Sequence, residues 1–215
     1  YCADYPGQLS RSLKKLLGEN VVSMFLNGAC GNINHINANG DLNKFNKRYH
    51  YIKMGKILAG EIFRVREKIE YSNSENDKVD VKSITFTSDI RRPTSEEIKR
   101  AESILQSESA SRNDKRFAEF IVNFDYNLPE TTEVEVQVVH IGEFAVVGLS
   151  GEIFVEFAFD IKDQSTIPYT IVSYLSNGNF GYIVTKEALK NGGYETMITN
   201  RPRVAVEAGY EMVKH

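Results

Sequence analysis

The sequence predicts an α/β or α+β domain in which helices flank a mixed β-sheet. Three observations carry that expectation. Residues 132–141 (TEVEVQVVHI) alternate with the period of a half-buried strand, Val134, Val136 and Val138 facing inward. Gly142-Glu143 makes a tight turn after it, so residues 144–149 (FAVVGL) return as its antiparallel partner. Helical periodicity over 9–17 and 43–70 interleaves with apolar, strand-like runs at 20–26, 79–90 and 169–175.

Taken in order, Leu9, Leu13, Leu16 and Leu17 share one face of a short helix closed by Gly18. Residues 20–26 (NVVSMFL) read as a buried strand. Residues 28–41 (GACGNINHINANGD) are rich in glycine and asparagine, which tolerate left-handed backbone and favour turns, so they form a loop. A long helix over 43–70 uses Phe45, Tyr49, Ile52, Leu58, Ile62, Val65 and Ile69 as its apolar face. The polar run 71–78 connects it to a strand at 79–90, with Ile84 and Phe86 on one face. Thr94 and Glu97 fit a capping box that starts a helix through Ile98, Ala101 and Leu105. Residues 107–115 are serine-rich and charged and read as a hinge, with a further helix at 117–124. Beyond the hairpin, Gly151-Glu152 leads into a helix from Ile153, residues 169–175 form a strand, SNGNFGY at 176–182 forms a second glycine-rich loop, and a short helix lies within 203–214.

Composition narrows the classes of partner. The 215 residues are 41% apolar and 26% charged with a net charge of −3, and no basic stripe invites a nucleic acid. The apolar run 153–161 is broken by Glu156 and Asp160, so no transmembrane segment is expected. Two cysteines, Cys2 and Cys30, leave the redox compartment open. The chain opens at Tyr1 without a Met or a signal-like leader. Residues 1–215 are therefore expected to form a single domain, the C-terminal portion of a larger catalytic domain truncated at its N-terminus.

Three places hold more functional-looking residues than folding requires. The loop 27–37 (NGACGNINHIN) follows a strand, where ligand sites of α/β sheets gather; equally, its asparagines can cap backbone groups. Within it, His35 is the one histidine set among functional-looking neighbours. Glu152 stands at a strand-to-helix turn, either favoured there by the helix dipole or held rigidly as a metal ligand. Tyr182 and Tyr194 sit in glycine-rich loops, as aromatic plugs over the core or as phenols beside a metal or a substrate carbonyl. No HExxH, CxxC pair, Walker loop or GxSxG elbow occurs.

Taken together, Ala3-Asp4-Tyr5-Pro6-Gly7, residues 25–34 (FLNGACGNIN), Ser150-Gly151-Glu152-Ile153-Phe154, Asn179-Phe180-Gly181-Tyr182-Ile183-Val184-Thr185 and Tyr194-Glu195 resemble, in order and spacing, the neutral/alkaline ceramidase family and its shorter bacterial relatives. The resemblance implies one zinc ion, bound by Glu152, by Tyr182 and by two histidines upstream of this chain. It places Tyr194 near the substrate carbonyl. A carboxylate and a phenolate are hard oxygen donors that suit zinc when imidazoles complete the shell, and the metal would polarise an amide carbonyl. The family's serine motif GD-x-SPN corresponds here to Gly31-Asn32-Ile33-Asn34-His35. Asn34 takes the serine position and His35 the proline position, and an asparagine amide is no nucleophile of that kind. Asn34, His35 and Tyr194 are the candidate catalytic residues, with Asn34 orienting a substrate or a water.

The resemblance thus implies a zinc-dependent hydrolase of an amide (N-acyl) bond acting on a small or lipid-like substrate, completed by the upstream part of the same protein, and it allows secretion. The alternative is a non-catalytic protein of the same fold that binds a glycan or lipid headgroup through the Asn-rich loop.

Overall fold

The computed structural model describes residues 1–35, 39–40, 49–70, 78–199, 201 and 203–215. The chain divides into two compact units, one of residues 1–26 and 34–75, the other of residues 27–33 and 76–215.

The first unit is a pair of packed helices, α1 (Asp4–Leu17) and α2 (His50–Arg66). Leu9 and Leu13 of α1 are buried with Ala59 of α2, and Leu17 packs against them. The helices approach closely at Gly55, where an added Cβ would lie 2.7 Å from the Gln8 Cβ and the Tyr5 carbonyl oxygen. Glycine is what permits that contact. The part of the expected helix over residues 43–48 lies outside the described residues. Of its expected apolar face, Leu58, Ile62 and Val65 are exposed.

The expected buried strand at 20–26 is a correction. Val22 and Met24 are 91% and 85% exposed, and the segment joins no ladder among the described residues. Its Val21 N–H donates back to the Gly18 carbonyl instead. An apolar run becomes a strand only when a neighbour supplies the ladder.

The second unit is built on a four-stranded mixed sheet in the order β1-β2-β3-β5. Strands β1 (Val79–Asp89), β2 (Thr131–Ile141) and β3 (Phe144–Leu149) form an antiparallel meander, with Val79 opposite Ile141 and Ile141 opposite Phe144. Strand β5 (Tyr169–Ser173) runs parallel to β3. Between them come the two-residue strand β4 (Glu152–Ile153) and helix α5 (Val155–Gln164), a parallel crossover. The alternation expected in β2 holds: Val134 and Val136 are fully buried and Val138 is partly so. They pack with Leu149, Val172 and Phe157, and with Ala208 and Met212 of the terminal helix α7 (Glu207–Lys214). The result is the expected mixed sheet flanked by helices.

Helix α3 (Ser95–Gln106) begins with the predicted capping box, Thr94 accepting from the Glu97 N–H while the Glu97 carboxylate accepts from the Thr94 N–H. Helix α4 (Arg112–Val122) starts earlier than its hydrophobic pattern suggests, because Ser111 accepts from the Asp114 N–H and caps it inside the expected hinge. A second, two-stranded sheet pairs β4 with β6 (Tyr182–Ile183), and α6 (Lys186–Asn191) and a 3₁₀ turn (Tyr194–Thr196) follow it.

Candidate functional site

The small parallel sheet organises the site. Glu152 and Tyr182 are register partners across β4 and β6, so their side chains leave the same face on neighbouring strands. The Glu152 N–H donates to the Gly181 carbonyl at 2.7 Å and the Phe154 N–H to the Ile183 carbonyl at 3.1 Å. Glu152 therefore stands on a strand, not in the first turn of a helix; α5 begins three residues later, and the dipole reading of this carboxylate falls.

Two glycines allow the pair to form. Gly151 has φ +94°, and a Cβ there would lie 2.9 Å from the Gly181 carbonyl oxygen. Gly31 presses against β4 from the other side: its N–H donates to the Ile153 carbonyl, and a Cβ would meet the Glu152 carbonyl oxygen at 2.4 Å. Ser150 is almost wholly buried beneath, its hydroxyl placed 3.2 Å from both the Glu135 and the Ser176 carbonyl oxygens. The glycines of the first loop and of the strand end thus serve one purpose, close approach of backbone.

Beside Glu152 lie the phenols of Tyr182 and Tyr174, with Tyr194 packed on Tyr182. The rings of Tyr182 and Tyr194 meet edge to face with centroids 6.0 Å apart, and Phe117 meets the Tyr194 ring edge-on at 5.9 Å. Burial pushes the Tyr182 phenol up to about 12, and the Glu152 carboxylate beside it acts in the same direction. Tyr174 is likewise pushed up to about 12, first by burial and then by its hydrogen bond with Cys30; the Glu152 charge adds to this and the Asn27 amide opposes it. The Arg203 guanidinium lies over the Tyr182 ring, 5.5 Å from its centroid. Burial, then the charge of Arg91, pulls Arg203 below its ordinary range, while Glu152 and the two phenols oppose that shift. Arg91 is itself paired with Glu97 at 2.6 Å.

Three of the five residues singled out from sequence, Glu152, Tyr182 and Tyr194, come together here. Asn34 and His35 belong to the other unit, are exposed, and are described within it; the His35 ring stacks on that of His50 at 5.7 Å. Asn32 is committed to the fold. Its side-chain oxygen accepts from the Val155 N–H at 2.9 Å and its amide donates to both Glu156 carboxylate oxygens, capping α5 from outside the helix. Sequence reasoning missed Tyr174, Cys30, Arg203 and Arg91. Tyr174 carried a signal, a tyrosine closing a strand just before a glycine-rich loop; the two arginines carried none.

The donor set fits half of a zinc shell. A carboxylate and a phenol at adjacent register positions are hard oxygen donors, and a tetrahedral site needs two donors more. Among the described residues no group of three or more His, Cys, Asp and Glu side chains gathers. Both cysteines are free, and no described helix is long and apolar enough to cross a membrane.

No family model and no curated protein matches the chain. Solved structures do. The neutral ceramidase from Pseudomonas aeruginosa superposes with a TM-score of 0.62 at 15% identity, over 98% of this chain and 39% of that one. A ceramidase complexed with C2 superposes with a TM-score of 0.60 at 12% identity, over 98% of this chain and 40% of that one. The fold is ceramidase-like, and the chain spans about two fifths of the length of those structures.

Proposed function

We propose that the protein is a zinc-dependent hydrolase of an amide (N-acyl) bond in a lipid-like substrate. The observation that carries this is the register pair Glu152–Tyr182, with the Tyr194 ring packed against the second member. The ceramidase-like fold and the names of the two solved relatives support the substrate class.

In this reading Glu152 and Tyr182 hold the zinc with two histidines that lie outside the 215 residues. When bound, the cation supplies Lewis-acid polarisation of the amide carbonyl. Tyr182 would hold the cation as a phenolate, its proton released to solvent, and burial makes that loss costly in the absence of a cation. The perpendicular contact with the Tyr182 ring fixes Tyr194, which offers its hydroxyl as a hydrogen-bond donor to the carbonyl oxygen, where negative charge develops. Asn34 and His35 are assigned to substrate orientation on the strength of the Gly31-Asn32-Ile33-Asn34-His35 run alone. Binding of a headgroup through the Asn-rich loop is less well supported, because Asn32 already spends its amide and its carbonyl on α5.

The experiment is hydrolysis of a panel of N-acyl amides of graded chain length by the full-length protein. Release of free amine that falls by roughly 10²-fold or more in Y194F, the range for losing one such donor, is expected. A wild-type protein that hydrolyses none of the panel refutes the reading.

A further inference from the structure

Arg203 is a buried cation that the fold does not explain. It is 8% exposed, and among the described residues it makes no ion pair with a carboxylate. Taking a guanidinium out of water is expensive unless its donors are met. Here one Nη donates to the Glu195 main-chain carbonyl, while Nε is buried without a partner among the described residues. Its Cζ lies over the Tyr182 ring, 5.5 Å from the centroid.

Its surroundings are built to receive it. Gly181, at φ +67°, packs directly against it: an added Cβ would stand in ordinary contact, 3.5 Å from Nε and 3.7 Å from Cγ. The backbone is anchored at the same point, since the Arg203 carbonyl accepts from the Arg91 N–H and Val204 forms a β-bridge with Ile90. One side chain therefore touches the strand that carries Tyr182 and the turn that carries Tyr194.

We propose that Arg203 is the positioning residue of the tyrosine pair: its guanidinium clamps the Tyr194–Thr196 turn, through the Glu195 carbonyl, against the Tyr182 ring. Arginine suits this work because its planar fork can stack on a ring and donate at its edge at once, which an ammonium cannot. Without the clamp the Tyr194 ring keeps its perpendicular contacts with Phe117 and Tyr182 but loses the tie from the strand side. The functional meaning of the clamp rests on the reading of Tyr182 and Tyr194 given above; the clamp itself does not.

The test is the nuclear Overhauser contact between the two rings, measured by NMR on the full chain with isotope-labelled tyrosine and no added metal. The Y182F and Y194F variants assign the signals. In R203M the inter-ring contact is lost and the Tyr194 ring signal moves, while Tyr210, whose ring packs on Phe157, keeps its position. R203K keeps the charge without the fork, so the contact weakens but survives. Rings that stay in contact at full strength in R203M overturn the clamp; should R203M fail to fold, full-strength contact in R203K overturns it. Zinc retention by E152A counts against the functional reading alone, so the two failures are distinguishable.

Discussion

Glu152 and Tyr182 stand side by side because Gly151 and Gly181 let two short strands pair in parallel, with the Glu152 N–H bonded to the Gly181 carbonyl at 2.7 Å. The carboxylate and the phenol are thereby fixed by main-chain hydrogen bonds rather than by long side-chain reaches. A site made this way depends on backbone conformation as much as on the functional groups.

Replacing Gly151 by alanine tests that dependence. Its φ of +94° is unfavourable for any L side chain, and the new Cβ would sit 2.9 Å from the Gly181 oxygen. The expected cost is about 1–3 kcal/mol, the range for a residue held in a sparsely populated region. Thermal unfolding measures it, and a Tm equal to that of the wild type refutes the backbone argument.

Asn32 offers a test that separates folding from ligand binding. N32A removes the acceptor for the Val155 N–H and the donor to Glu156. The loss of a cap costs roughly 0.5–2 kcal/mol, read as a lower denaturation midpoint with an unchanged slope. A variant as stable as the wild type would return Asn32 to the pool of ligand-binding residues.

The phenols give the protein a signature at alkaline pH. Tyr174 and Tyr182 are held at about 12 in the fold against an ordinary value of 10.0. The unfolded chain loses these protons first. Their contribution to stability is complete below about 10 and declines as the pH rises towards 12. Equilibrium unfolding of the metal-free protein between those limits should show a steeper fall in the wild type than in Y182F. Identical slopes would contradict the buried phenol.

Much of this was legible in the sequence, and the reasons for success differ from element to element. The β2–β3 hairpin was readable because one face is buried, so alternation survives in Val134 and Val136. The capping box at Thr94 and Glu97 was readable because it is a local hydrogen-bonding device. Residues 20–26 misled, because an apolar run says nothing about whether a partner strand is present. Glu152 was singled out but set in the wrong element: nothing local marks a two-residue strand whose partner lies thirty positions along. Arg203 was invisible for the same reason, since its meaning comes from Gly181, Tyr182 and Glu195, none of them near it in a helical or strand period.

The central claim is that Glu152 and Tyr182 are two ligands of one zinc ion. Metal analysis of the full-length protein after exhaustive dialysis tests it most directly. The account predicts about one zinc per chain, lost in E152A and weakened in Y182F, with both variants folded. A full-length wild-type protein without zinc, or an E152A variant that keeps its metal, would contradict it.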